Sequence, residues 1–217
     1  MNKIHLSKVG KDIANANIVK QKRERAVLQN GELYYKIWVP NWTQAKIVEH
    51  AYKCGFYNDR NTNSVLGLIY DESGPRGYIQ RKGKTIVDNG DDKSWKNLTK
   101  MVSKKQCVEF LQEVMTLSLE VDGTFSDFAP SNIIIFEGGV NLIDLESFRS
   151  FDLIFDRKTA LYENFDLDAW WKPHETAKRD VNKYFKSYFK ECLGIQFEFD
   201  IDSRENYKRA LNELLNY

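Results

Sequence analysis

The sequence predicts an α+β protein: a small antiparallel sheet with one inserted helix first, then a mainly helical half containing a single hairpin. Three observations carry this expectation. Runs rich in aromatic and β-branched residues cluster before residue 81, apolar residues recur at helical spacing after residue 103, and a polar connector at 81–94 lies between them. The expected boundary divides residues 1–82 from residues 83–217.

The first strand pair covers residues 26–28 and 33–38 and turns at Asn30-Gly31, a dipeptide that tolerates positive φ in a hairpin. Lys36 sits inside the second of these strands. Pro40 ends it, and Asn41 or Thr43 can cap a helix whose apolar positions Ile47, Val48, Ala51 and Tyr52 run to Gly55, with Glu49 mid-helix. Strands at 65–70 and 77–80 follow, separated by the turn formers Asp71-Glu72-Ser73-Gly74-Pro75. Ser103 and Gln106 have the spacing of a capping box, and Cys107, Phe110, Val114, Leu117 and Val121 then stripe one face of a buried helix. A hairpin of residues 133–136 and 140–143 is joined across Glu137-Gly138-Gly139. Two helices complete the chain. Val181, Phe185, Tyr188 and Cys192 line one that stops at Gly194, and Tyr207, Leu211 and Leu214 line another capped by Ser203.

A chain of 217 residues that is 42% hydrophobic and 13% aromatic can offset the entropy of ordering by burial, which excludes a disordered protein. No apolar run approaches the ~20 residues that span a bilayer, and the first residues lack the basic, apolar and small-residue order of a secretory signal. A soluble cytoplasmic protein is the expectation. Cys54, Cys107 and Cys192 lie far apart without a CxxC pair, so they are read as small core residues, not as a disulfide framework or zinc site. The net charge of +1 conceals an asymmetry: residues 1–105 hold 20 Lys/Arg and 10 Asp/Glu, and residues 106–217 hold 12 and 21. Opposed basic and acidic halves can frame a site for phosphates and metal cations, although attraction between the halves or solubility accounts for the pattern equally well. The run Lys20-Gln21-Lys22-Arg23-Glu24-Arg25 raises nucleic-acid binding, but such runs are usually solvated strand or loop, so this function class is disfavoured.

The segment richest in chemistry reads Phe125-Ser126-Asp127-Phe128-Ala129-Pro130-Ser131-Asn132, then the hairpin, then Asn141-Leu142-Ile143-Asp144-Leu145-Glu146. Counting back from the turn, Asn132 and Asp144 fall within about one residue of opposite places, where cross-strand neighbours lie roughly 5 Å apart. An amide oxygen and a carboxylate are hard oxygen ligands of the kind Mg²⁺ takes, with water and substrate phosphate completing its shell. Asp127, on the preceding loop, can orient an attacking hydroxyl. Taken singly, each residue has an ordinary alternative: turn hydrogen bonds for Asp127 and Asn132, a strand-end cap for Asp144.

Together these residues resemble the catalytic loop and metal-binding strand of the protein-kinase-like superfamily, in which Asp, four residues and Asn precede a hairpin ending in Asp. The wording is more similar to small atypical members, such as RIO-type, aminoglycoside-type and lipopolysaccharide-type kinases, than to ordinary protein kinases. The resemblance implies a two-lobed protein-kinase-like fold with a sheet-plus-helix N-lobe and a reduced helical C-lobe. It implies ATP with Mg²⁺ (or Mn²⁺), and transfer of the γ-phosphate to a hydroxyl on a protein Ser/Thr or a small molecule. Asp127 is then catalytic, Asn132 and Asp144 hold the metal, and Lys36, paired with Glu49, grips phosphate. The ordinary alternatives are a solvent-facing strand lysine and a surface i,i+4 pair between Glu49 and Lys53. The resemblance also places Ile79 at the back of an adenine pocket, Gln80, Arg81 and Lys82 at the hinge, and Ile134 and Ile143 beneath the nucleotide; the isoleucines equally fit a plain core.

The chain departs from the superfamily pattern in several places. No GxGxxG precedes Lys36, so the phosphate-covering loop is expected to be unusual or absent. No His-Arg precedes Asp127, and Leu-Glu instead of Phe-Gly follows Asp144. These departures keep a second expectation open, a pseudokinase that serves as a nucleotide-binding or scaffolding module.

Overall fold

A computed structural model of the chain describes residues 3–53, 65–87, 94–156, 161–162, 165–166 and 174–217. The chain divides into two units, Met1–Lys84 with Asn141–Glu146, and Thr85–Val140 with Ser147–Tyr217.

The first unit contains β1 (Lys3–His5), α1 (Gly10–Ala14), β2 (Asn17–Gln21), β3 (Arg25–Asn30), β4 (Leu33–Trp38), α2 (Thr43–Lys53), β5 (Val65–Asp71) and β6 (Gly74–Arg81). Its six strands lie in the order β1-β5-β6-β4-β3-β2. All pairings are antiparallel except that β1 runs parallel to β5. The elements before residue 25 were not anticipated, because they are short, mostly exposed and without a sustained apolar period. The β3–β4 loop is Gly31-Glu32, one residue later than expected, since Asn30 pairs with Leu33; Gly31 supplies the positive φ of 57°. Cys54, Gly55 and the side chain of Tyr52 lie outside the described part.

Partner residues on adjacent strands point to the same side of a sheet and sequence neighbours to opposite sides. The register Lys20↔Val27↔Lys36↔Tyr78 therefore defines one face, to which Arg25, Trp38 and Gln80 also belong. The opposite face carries Leu28, Tyr35, Ile69 and Ile79, which pack with Val9 into a core. Helix α2 buries Ala45, Val48 and Ala51. At Gly77 strand β6 comes so close to β4 that an added Cβ would lie 2.0 Å from the Lys36 carbonyl oxygen. Only glycine permits this approach.

The second unit begins, beyond a short strand β7 (Lys84–Thr85) that straddles the division, with α3 (Lys96–Met101) and α4 (Lys104–Glu120). The expected capping box starts α4: the Ser103 hydroxyl accepts from Gln106 N at 3.2 Å, and Ser103 N donates to Gln106 Oε1 at 2.9 Å. Cys107, Phe110, Val114 and Leu117 are buried along the helix, which ends before Val121. Then follow β8 (Gly123–Phe125), β9 (Ile133–Phe136), β10 (Gly139–Leu142), β11 (Phe148–Ser150) and α5 (Phe151–Phe155). The β9–β10 turn is Glu137-Gly138, both at positive φ (49° and 78°), so β10 begins one residue earlier than the sequence suggested. Strands β8 and β11 pair antiparallel, Phe125 opposite Phe148. After the short strands β12 (Leu161–Tyr162) and β13 (Phe165–Asp166) comes α6 (His174–Tyr188), which closes in a π-helical turn, Phe189–Leu193, at the left-handed Gly194. Helix α7 (Arg204–Leu215) is capped by Ser203.

The core of this unit is aromatic. Phe128 stacks on Phe185 at 4.6 Å between ring centres and lies beside Trp95, Phe110 and Tyr188. Cys107 and Cys192 are buried free thiols. Among the described residues, no helix is long and apolar enough to cross a membrane.

Candidate functional site

Lys36 is 6% exposed, an unusual place for an ammonium group, which is costly to bury without partners of opposite charge. Two carboxylates supply them. The ammonium is paired with Asp144 Oδ1 and lies 2.6 Å from Glu146 Oε1. Its aliphatic stem shares the sheet face with Trp38 and Tyr78, whose ring centres lie 5.5 and 5.8 Å from Nζ. Glu146, 2% exposed, also accepts from Arg25 Nη1 at 2.6 Å, so one buried carboxylate serves two cations from neighbouring strands.

Local geometry delivers the two carboxylates. Strand β10 ends at Leu142, the backbone turns left-handed at Asp144 (φ 62°), and one 3₁₀ turn, Leu145–Ser147, follows. Asp tolerates this conformation better than most residues. Burial pushes the Asp144 carboxyl up, but the Lys36 ammonium beside it, together with Arg25 and Lys20, holds it below the ordinary aspartate range.

The other expected residues of this unit fall in two groups. Gln80 shares the Lys36 face and is buried, Arg81 and Ile143 are half-buried, and Lys82 is exposed with its N–H donating to the Glu32 carbonyl at 2.8 Å. Ile79 lies on the opposite face, in the core with Tyr35 and Ile69, because odd and even positions of β6 face opposite ways. Glu49 is not beside Lys36: it accepts from Tyr70 Oη at 2.8 Å and pairs with Lys53 at 3.2 Å, the ordinary i,i+4 alternative. The carboxylate that sequence reasoning missed is Glu146. A usable signal existed, since an acidic residue within Leu142-Ile143-Asp144-Leu145-Glu146-Ser147-Phe148 must find a cation if that apolar run is buried.

In the second unit, the loop from Ser126 to Asn132 is pinned at both ends. Ser126 N and Oγ donate to the Ser147 carbonyl at 2.9 and 3.0 Å, and Phe128 is fully buried in the aromatic core. Pro130 opens a 3₁₀ turn that ends at Asn132. The Asn132 amide nitrogen donates to the Asp127 carbonyl at 2.9 Å, which directs the amide oxygen away as the acceptor end. Asp127 is half-buried, between fully buried Ser126 and Phe128, and Ile134 is buried in β9.

A solved co-crystal of the pseudokinase drought responsive inactive kinase 1 with ENMD-2076 matches all of this chain and 97% of that one, at TM-score 0.50 and 11% identity. The fold is protein-kinase-like. An apo pseudokinase structure is also similar, over 100% of this chain and 98% of that one, at TM-score 0.47 and 10% identity. No family model and no curated protein matches the sequence.

The Asp144 carboxylate is ionised and partly exposed, and Mg²⁺ is normally held by only one or two protein carboxylates. Among the described residues, no group of three or more His, Cys, Asp or Glu side chains could form a dedicated metal cage.

Proposed function

We propose that the chain is an ATP-dependent phosphotransferase that uses Mg²⁺ (or Mn²⁺) and moves the γ-phosphate to a hydroxyl of a protein Ser/Thr or a small molecule. One observation carries this proposal: a buried strand lysine, Lys36, bridges two carboxylates, one of them an aspartate kept ionised beside it. A lysine fixed in this way presents its remaining donor capacity to phosphate oxygens without first losing side-chain freedom. Glu146 takes the positioning role expected of Glu49, because it is the buried carboxylate at hydrogen-bond distance.

Asp144 and Asn132 provide the oxygens for the divalent cation, which neutralises phosphate charge when bound. Asp127 orients the acceptor hydroxyl and takes its proton as the new O–P bond forms and the bond from Pγ to the β-phosphate oxygen breaks, releasing ADP. Gln80, Arg81 and Lys82 flank the base, and Ile134 and Ile143 form its apolar bed. Ile79 contributes core packing instead of contact with adenine.

Incubation with γ-labelled ATP and Mg²⁺ or Mn²⁺, beside a melting curve in the same ligands, tests the proposal. Wild type should be stabilised by ATP and metal and should transfer label. Asp127→Asn should lose transfer yet keep ATP binding, and Asp144→Asn should lose metal-dependent stabilisation. An unchanged melting curve at millimolar ATP and metal would refute nucleotide binding. A second function, nucleotide binding without transfer, is favoured by the missing glycine loop ahead of Lys36. Stabilisation by ATP with no transfer to self, generic protein or water, and with Asp127→Asn indistinguishable from wild type, would select it.

A further inference from the structure

The basic run at residues 20–25 lies at the β2 edge of the six-stranded sheet. It forms the end of β2, a turn at residues 22–24 closed by Lys22 N donating to the Arg25 carbonyl at 2.8 Å, and the start of β3. Lys20 pairs with Val27, and Val27 pairs with Lys36, so Lys20 and Lys36 lie in one row on one face. Arg25, two residues before Val27, shares that face and reaches Glu146. Strand pairing thus gathers three cations around two carboxylates, Asp144 and Glu146, leaving a positive charge in excess among these five residues.

We infer that Lys20 and Arg25 are phosphate-binding residues, and that cationic side chains of the β2–β3 hairpin hold the polyphosphate of the nucleotide where no glycine-rich turn is present to offer backbone N–H groups. This inference rests on the nucleotide reading above and names the residues that recognise its phosphates. Two features support it. Lys20 is exposed and so can meet an incoming anion. Arg25 is held by Glu146, which fixes its guanidinium while leaving further N–H groups for oxygen acceptors. A ligand of this kind is recognised by phosphate number more than by its base, so inorganic tripolyphosphate should occupy the same cations.

Equilibrium binding of ATP, ADP, AMP and inorganic tripolyphosphate, each with Mg²⁺, to wild type, Lys20→Gln, Lys20→Glu and Arg25→Lys tests this. Because Lys20 is exposed, its variants should melt as wild type does. Wild type should prefer ATP to AMP; Lys20→Gln should weaken ATP and tripolyphosphate about fivefold to tenfold and Lys20→Glu more, with AMP changed less than twofold. Arg25→Lys, which keeps the charge but loses the fork, should reduce the ATP-to-AMP preference as well. If wild type binds ATP and both Lys20 variants match it within twofold, the inference fails while nucleotide binding stands. If wild type binds tripolyphosphate through Lys20 but not ATP, the phosphate site stands and the nucleotide function fails. No binding of either probe overturns both.

Discussion

Glu146→Gln should be the most damaging conservative change in the first unit. It keeps the volume of the side chain and removes the negative charge that both Lys36 and Arg25 contact directly. The side chains of Lys36, Arg25 and Glu146 are only 7%, 14% and 3% exposed, so water cannot take over the role of the lost charge. Removing one partner of a buried pair costs about 3–5 kcal/mol, and since Lys36 keeps Asp144 the lower end, about 3 kcal/mol, is expected. With a urea m-value of about 2–3 kcal/mol/M, the unfolding midpoint should fall by about 1 M. Glu49→Gln is the matched control: it disturbs one i,i+4 pair and one tyrosine hydrogen bond, about 1 kcal/mol. Urea unfolding followed by tryptophan fluorescence and far-UV circular dichroism measures both. A double-mutant cycle with Lys36→Met should return a coupling above about 1 kcal/mol for Lys36 with Glu146 and near zero for Lys36 with Glu49. If Glu146→Gln costs no more than Glu49→Gln, the assignment of Glu146 as the carboxylate that holds Lys36 is wrong.

Three further outcomes follow from the geometry. Gly77→Ala should destabilise by about 2 kcal/mol or more, because the new methyl would meet the Lys36 carbonyl oxygen; thermal denaturation reads the loss, and an unchanged midpoint refutes the close approach. Asp144 titrates lower in the folded chain than unfolded, so its contribution to stability is fully present above about pH 4 and fades as pH falls further. Stability curves of wild type and Asp144→Asn should therefore differ at pH 6 and converge towards pH 3, and parallel curves would count against the shift. Tyr207→Phe removes the hydroxyl 3.2 Å from Thr124 Oγ1 in a buried chain that continues to Ser118, and should cost about 1 kcal/mol in chemical denaturation; a neutral result would mean that Thr124 finds another partner.

Much of the fold was legible because its signals are local. The Ser103–Gln106 box, the left-handed Gly194 and the apolar stripe of α4 each depend on neighbours within a few residues, and each is found where the sequence put it. The resemblance carried by Asp127, Asn132 and Asp144 pointed to the kinase-like fold that the structural comparison supports. What was not legible depends on pairing at a distance. Whether Lys36 meets Glu49 or Glu146 is decided by how the chain beyond β10 returns to the first unit, 110 residues along, and no periodicity records that. The two readings of Ile79, pocket or plain core, were inseparable in the sequence for a related reason: a strand residue's face is set by register, and Ile79 and Gln80 differ only in parity.

The positive φ of Asp144 bears on how any experiment at that position must be designed. An alanine there would lose the charge and also a side chain suited to left-handed backbone, a conformation that costs most L-residues roughly 1–2 kcal/mol. Asparagine removes the charge while keeping the backbone preference, and glycine removes the charge while easing the backbone. The difference between Asp144→Gly and Asp144→Ala in stability therefore reports conformational strain, and the deficit shared by Asp144→Asn and Asp144→Gly reports electrostatics. An alanine scan alone would merge the two effects and overstate the part played by charge.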